Sequence, residues 1–354
     1  MSAPRLTIAS IATGTPMGAE AYQEQIARRA PEALAEVSDR EWVVRRLTLG
    51  SMRASLPGAR RIPLGRIARA PEGARQVIGR ALFSRNAVTH RMNLELPPAP
   101  SGDVITLHDV IAWRYPDESP PVAAAAAEAR RAAAVICVSQ HTAAEAVELL
   151  GIDPPHVVHN GVDDRFFGAA GLTTQRRNEL RLTGDYVLHA GGATRRKNLE
   201  ALADAWPRVL RARPHLQLAL AGPAHPRRTQ LFDGMPGVTL LGRLPEQDMP
   251  GLVASATAVV IPSLHEGFGL PALEAMAAGV PVVAAATSAL PEVVGDAGLL
   301  VEPTPDGIVD GLVTVAAHDG AIEALVRTGR ARAAEFTWER SAAGHARVWD
   351  SVGI

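Results

Sequence analysis

Short apolar runs rich in Val and Ile alternate with Ala-rich helical stretches along this chain, and they do so in two successive series. The first comprises LTIASIA, a helix beginning at Ala19, DVITLHD, a helix over 123–134, AVICVSQ and a helix ending at Leu150. The second comprises YVLHAGG, a helix over 198–211, LQLALAG, VTLLGR, a helix over 248–255, AVVIPS, a helix over 271–278 and VPVVAAA. A helix between two strands returns the chain to the end from which it started, so such strands pair in parallel with helices on both faces. Between the series lies GAAGLTTQRRNELRLTGD, which is polar and contains glycine. The expected architecture is therefore α/β: two facing Rossmann-like doubly wound parallel-sheet domains, over 1–165 and 166–335. The remaining segment, 336–354, reads as one amphipathic helix. A chain of 354 residues is long enough for two such cores.

Composition narrows the class. Hydrophobic residues at 47% and charged residues at 21% are globular values, and no run approaches the length of a membrane-spanning helix. The first residues, MSAPRLTIASIATG, read as a strand and not as a secretory signal. The single cysteine, Cys137, excludes an intrachain disulfide and a multi-cysteine metal site. A cytoplasmic protein is expected. The net charge of −1 hides an uneven distribution: from Arg45 to Arg91 eleven arginines face one acid, Glu72. This block suits contact with an anionic membrane, at its inner face, or with a phosphate-bearing acceptor; otherwise it is a solvated, loop-rich face. Nucleic acid is not an expected partner, because acids elsewhere compensate and no nucleic-acid module is recognisable.

The segment AVVIPSLHEGFGLPALEAMAAGVPVVAAATSALPEVVGDAGLLVEP carries the most chemistry. A buried strand ends at Pro262, a loop carries Glu266, Gly267, Phe268 and Gly269, and Pro271 suits the first turn of a helix that Gly279 ends. Loop amides and the positive end of that helix suit an anionic phosphate. Glu266 and Glu274, seven residues apart in between, can accept hydrogen bonds from sugar hydroxyls. The plainer alternative is that Glu274 only favours the helix dipole and Glu266 is a solvated loop residue.

In HEGFGLPALEAMAAGVPVVA the Glu, seven residues, Glu spacing, the Gly-Phe-Gly-Leu-Pro centre and the Gly-Val-Pro-Val continuation resemble family 4 of the retaining glycosyltransferases. Members of that family have the two-domain glycosyltransferase B architecture, and the resemblance implies that the helix over 336–354, opening FTWERSA, crosses back to the first domain. The resemblance implies that Glu266 contacts the donor hexose, Glu274 the ribose, and the amides from Gly267 through Leu270 the hexose and phosphates. A second segment, YVLHAGGATRRKNLEAL, leads a strand into a glycine turn followed by Arg195, Arg196 and Lys197. Cations at that position suit a diphosphate leaving group. Lys197 is the one lysine beside 35 arginines, and with Arg196 it matches the family's Arg-Lys-Asn motif, whose lysine binds donor phosphates. Some members place a further arginine just after the turn glycine; here Gly192 or Ala193 stands there, so Arg195 or Arg196 is the expected substitute.

The resemblance also implies main-chain contacts to the base near Arg243 and Leu244, a glycine loop at Gly14 and Gly18 near the donor phosphates or the acceptor, and a sugar contact from His108 at the end of VITLHD. A His108–Asp109 pair that satisfies itself is the alternative there. Asp163-Asp164 is followed by Arg165 in linker-like sequence, unlike the Asp-any-Asp of metal-dependent transferases, so no metal cofactor is expected. The stretch SALPEVVGDAG resembles mannosyl- and rhamnosyl-type members. GDP-mannose is thus the favoured donor, UDP- and dTDP-sugars the alternatives, and a glycan, lipid-linked or small-molecule hydroxyl the acceptor, with retention of configuration. The rival functions are a sugar-nucleotide epimerase, a non-catalytic sugar-nucleotide-binding protein and, from the Gly-any-Gly-any-any-Ala of GFGLPA, an NAD-dependent oxidoreductase.

Overall fold

The computed structural model describes residues 3–12, 18–52, 59–115, 120–317 and 319–353. The chain divides into two compact units, Met1–Gly161 together with Trp338–Ile354, and Val162–Thr337. The division falls four residues before the expected break after 165, because the turn Asp164–Phe166 packs on helices of the second unit and Phe166 is buried. Val162 N–H also donates to Phe336 O at 2.9 Å within that unit.

The first unit is built on strands β1 Arg5–Ile11, β2 Val43–Ser51, β3 Arg60–Ile62, β4 Val88–Arg91, β5 Asp103–Leu107, β6 Ala134–Cys137 and β7 His156–Val157, in the order β3-β2-β1-β4-β5-β6-β7. The second contains β8 Tyr186–Ala190, β9 Gln217–Ala221, β10 Val238–Gly242, β11 Ala258–Ile261, β12 Val282–Ala285 and β13 Leu299–Val301, in the order β10-β9-β8-β11-β12-β13. Every pairing is parallel, with registers such as Ile8 beside His90 and Val260 beside Val283. β5, β6, β11 and β12 are buried along their whole length, which is why their sequences are continuous apolar runs and not alternations. The order reverses between β1 and β4 and again between β8 and β11, so each sheet has a switch point where the loops leaving two adjacent strands diverge.

The Arg-rich stretch differs from the expectation of a loop-rich face. It contains β2, β3 and β4 and two helices, Leu64–Arg69 and Glu72–Leu82. It is also not one basic surface, because two of its arginines lie inside the unit. Arg75 Nε donates to Glu128 Oε1 at 2.6 Å, Arg91 Nη2 to Asp103 Oδ2 at 2.8 Å, and Arg91 Nη1 to Glu128 Oε2 at 3.2 Å. Arg75 further donates to the carbonyls of Leu94 at 2.8 Å and Leu96 at 2.7 Å, tying down the irregular segment after β4. The two arginines and Glu128 are 0–1% exposed. Two positive and two negative charges cancel there, and the hydrogen bonds meet the requirement that buried charges be paired.

The helix Trp338–Val352 belongs to the first unit. It lies along the helix Gly18–Val37, where Trp338, Ala342, Ala346 and Trp349 share one core with Tyr22, Ile26, Ala30, Leu6 and Ile8. Gly344 is required by this contact, since a Cβ there would stand 2.7 Å from Val158 Cγ1. Buried polar groups are satisfied across the same seam: Tyr22 Oη lies 2.6 Å from His345 Nε2 and 2.9 Å from Thr106 Oγ1, and Trp349 Nε1 donates to His90 Nδ1 at 3.2 Å. The second unit has its own core around Trp206, Leu218, Leu220, Val260 and Val283.

Candidate active site

The switch point of the second sheet gathers the charged residues of both motifs. β8 ends at Ala190 and the turn Gly191-Gly192-Ala193-Thr194 leads into a 3-10 turn, Arg195–Lys197. β11 ends at Ile261 and the loop 262–269 leads into the helix Leu270–Ala278. β8 and β11 are neighbours, so two loops distant in sequence start side by side. Lys197 Nζ donates to Glu266 Oε1 at 2.6 Å, Ser263 Oγ donates to the same oxygen at 2.7 Å, and Arg196 Nη1 stands 3.6 Å from Glu266 Oε2. Arg196 Nη1 also donates to His265 O at 3.2 Å, and Leu264 N–H to Arg196 O at 2.7 Å.

Glu266 is buried at 8% exposure and is thus no solvated loop residue. Burial alone would push its carboxyl up, but the charges of Lys197 and Arg196 and the hydrogen bonds from Lys197 and Ser263 hold it below the ordinary carboxylate range. It is an anion, an acceptor of hydrogen bonds, held by two cations. Sequence reasoning gave Lys197 and Glu266 separate partners; the structure pairs them with each other. Glu274 stands one turn into the helix, half-buried, without a hydrogen bond or ion pair to the described residues. Burial pushes its carboxyl up to about 8; the Asp163 carboxylate adds to the rise and Arg165 opposes it. Two carboxyl groups of one helix-loop motif therefore sit in opposite protonation states near neutral pH. A charged acceptor and a neutral donor-acceptor can make different hydrogen bonds to a polyhydroxylated ligand.

His189, on β8, is buried and neutral. Its pKa falls to about 3, first through burial and then through the charges of Lys197 and Arg228, with Glu266 opposing. Behind the cluster, Asn198 adopts a left-handed conformation at φ 54° and its Nδ2 donates to Pro262 O and Pro303 O, each at 2.9 Å. Ser288, at φ 52°, accepts the Glu266 N–H on its Oγ at 2.9 Å, and Thr287 Oγ1 donates to Ser263 O at 2.9 Å. Ser263, Asn198, Thr287 and Ser288 are the residues that sequence reasoning missed. Asn198 is the last residue of the Arg-Lys-Asn run, and Thr287-Ser288 opens the TSAL that follows β12, so a signal was present for these three.

The remaining expected residues divide. Gly269 begins the Leu270–Ala278 helix at φ 112°, and a Cβ on it would meet Leu290 Cδ2 at 2.9 Å; backbone conformation and packing on Leu290 account for this glycine without close approach of a ligand. Gly267 is buried, and Phe268 is buried with its ring 6.0 Å from that of Phe336, so Phe268 serves the core through its side chain. Arg195 is exposed, and its carbonyl accepts the Asn198 N–H at 2.9 Å. Arg243 is exposed and Leu244 half-buried on the loop leaving β10, the edge strand. In the first unit, Gly18 opens the helix Gly18–Val37, Gly14 falls outside the described residues, and His108 follows β5. The His108 ring stands edge-on to Tyr22, centroids 4.5 Å apart, and Asp109 Oδ1 accepts the Ile111 N–H at 3.1 Å. Asp163 is engaged by Arg165 Nη2 at 2.7 Å, and Arg165 Nη2 also donates to Glu246 Oε1 at 2.6 Å; Asp163 thus carries a structural ion pair. Cys137 is buried, which pushes its thiol up to about 12. No described helix is long and apolar enough to cross a membrane.

The family described as "Glycosyl transferases group 1" matches residues 184–318, and that described as "Glycosyltransferase Family 4" matches residues 99–166. The chain is 30% identical over 274 residues to the O-antigen chain mannosyltransferase B of Escherichia coli, covering 72% of each chain. It is 31% identical over 230 residues to the MMP alpha-(1->4)-mannosyltransferase of Mycolicibacterium hassiacum, covering 62% of this chain and 54% of that relative. Among solved structures, sucrose-phosphate synthase from Thermosynechococcus elongatus is similar with a TM-score of 0.74 at 21% identity, over 98% of both chains. Anabaena HepE, solved in complex with UDP and glucose, is similar with a TM-score of 0.71 at 20% identity, over 98% of this chain and 100% of that one.

Proposed function

The chain belongs to family 4 of the group 1 glycosyltransferases, and from that premise we propose that it transfers mannose from GDP-mannose, with retention of configuration, to a hydroxyl of a glycan or lipid-linked acceptor. Family membership removes the oxidoreductase reading. The observation that carries the proposal is the cluster of Arg196, Lys197 and Glu266 at the ends of β8 and β11. A nucleoside diphosphate leaving group gains negative charge as the bond to the sugar breaks. Lys197 and Arg196 answer that charge, exchanging part of their bond to Glu266 for phosphate oxygens. Glu266, held ionised, accepts from hexose hydroxyls, and Glu274, holding its proton, can both donate to and accept from the ribose diol. These cations and the loop amides take over the work of a divalent ion, so the reaction needs no metal cofactor. Mannosyltransferases among the similar proteins support the donor; HepE binds UDP and glucose, which keeps UDP-sugars in the test. Seven exposed arginines of the 45–91 stretch that no acid pairs among the described residues, Arg45, Arg60, Arg61, Arg66, Arg69, Arg80 and Arg85, remain to meet an anionic membrane face or a phosphate-bearing acceptor.

The test is incubation with labelled GDP-mannose, UDP-glucose and dTDP-rhamnose, with and without EDTA, against a panel of glycan and polyprenyl-linked acceptors. Transfer from GDP-mannose, unchanged by EDTA and giving the same anomeric configuration as the donor, is the expected result. Lys197→Ala and Glu274→Ala lower it by about 10²-fold or more at an unchanged circular dichroism spectrum. Preference for another donor, an inverted product, or near-normal turnover in either variant refutes the corresponding part.

A further inference from the structure

The turn that follows β8 is held from behind by a buried arginine that serves no carboxylate. Arg228, on the helix Pro226–Phe232, is 3% exposed. Its Nη2 donates to the carbonyls of both Gly191 and Gly192, the latter at 3.1 Å, and its Nη1 to Pro223 O at 2.9 Å. Its Nε is buried without a partner, and no acid pairs with it among the described residues. A desolvated guanidinium that holds only carbonyls is costly, and hydrogen bonds to neutral carbonyls offset only part of that cost.

The geometry gives the arrangement a purpose. In a trans peptide the C=O and the following N–H point to opposite sides. Holding the carbonyls of Gly191 and Gly192 on Arg228 therefore aims the N–H groups of Gly192 and Ala193 away from it. Neither N–H has an acceptor among the described residues, whereas the neighbouring Gly191 N–H is bonded to Ala221 O at 3.0 Å and Lys197 N–H to Thr194 O at 3.0 Å. The turn is packed too closely to relax. Gly222, at φ 140°, lies against it so tightly that a Cβ there would stand 2.0 Å from Gly191 O and 3.0 Å from Arg228 Nη2. Arg228, Arg196 and Lys197 against Glu266 leave a local excess of two positive charges, the complement of a diphosphate.

We propose that Arg228 is a positioning residue for the donor's diphosphate: by gripping two carbonyls of the Gly191–Gly192 turn it presents the amides of Gly192 and Ala193 as an anion-binding pair, and the diphosphate supplies its missing counter-charge. The proposal rests on the nucleotide-sugar reading above and names a residue outside the motifs that led to it.

The experiment uses the full chain, with Arg228→Lys and Arg228→Met beside the wild type, titrated calorimetrically with GDP and guanosine and in parallel with UDP and uridine. In both variants the affinity for the diphosphate relative to its nucleoside falls by about tenfold or more, the loss of well-aimed bonds to a charged group. A merely structural arginine lowers the melting temperature and leaves that ratio unchanged, which overturns the inference. Hydrogen exchange on the wild type decides the case even where a variant fails to fold: GDP or UDP protects the amides of 191–194, and absence of protection overturns the proposal. If neither diphosphate binds the wild type better than its nucleoside, the nucleotide-sugar reading falls with it; if one does and only the variants behave normally, that reading stands and this inference alone is refuted.

Discussion

Glu128→Gln isolates what the buried charge cluster of the first unit contributes. Glu128 is 1% exposed and shared by two arginines, with Arg75 Nε at 2.6 Å from one oxygen and Arg91 Nη1 at 3.2 Å from the other. The amide is the same size but neutral, and its NH2 must face one of two guanidinium groups. Asp103 then stands as the one acid against two buried cations. Burial by itself works against charge on Arg91; Asp103 and Glu128 more than offset it, so its pKa is held above the usual arginine value. Removing one partner of a buried pair costs about 3–5 kcal/mol, far more than the pair itself contributes over an apolar replacement. For a unit of this size each kcal/mol moves the melting temperature by about 2–4 °C, so a fall of roughly 6–20 °C is expected. Differential scanning calorimetry of the full chain reads it, with the melting of the second unit as the control for a local effect. In an Arg75→Met background the same change costs less, since the uncompensated charge is already gone. A fall below about 1 kcal/mol, or an equal cost in both backgrounds, refutes the account of a charge cluster that needs Glu128.

Two further outcomes follow from the second unit. Folded Glu274 keeps its proton up to about pH 8, whereas the unfolded chain releases it near the ordinary carboxylate value, so its contribution to stability is complete in acid and is lost as pH rises through that window. Glu274→Gln removes this slope, and melting curves of the variant and wild type that stay parallel from pH 5 to 8 count against the shift. Gly222→Ala cannot keep φ 140° or the 2.0 Å approach to Gly191 O; backbone strain alone lowers stability by about 1–3 kcal/mol, read by urea denaturation, and an unchanged midpoint contradicts the close packing of the two turns.

The second unit was largely legible because its strands are buried on both faces and separated by helices with clear stops. Gly279, for example, ends the Leu270–Ala278 helix at φ 73°. The Arg45 to Arg91 stretch was not legible. Arg45 and Arg46 lie on β2, and Arg75 and Arg91 are buried by partners 53 and 12 residues away, so polarity there does not report exposure. At the site, side-chain chemistry was readable but pairing was not. The motifs named Lys197 and Glu266, and only the adjacency of β8 and β11 joins them across 69 residues. Arg228 looked like one arginine among 35, since a residue that acts through backbone carbonyls leaves no motif of its own.

The seam between the Trp338–Val352 and Gly18–Val37 helices sets an order of assembly on the ribosome. The Tyr22 ring packs on Trp338 and His345, which are translated after the whole of 162–337, as well as on His108. The later-starting body is contiguous and can close while synthesis continues. The earlier-starting one emerges first but closes only after the other, with Leu6, Ile8 and Ile26 lacking their Trp338–Val352 cover until that helix has been made. Nascent chains stalled before codon 338 should therefore be the ones that chaperones retain.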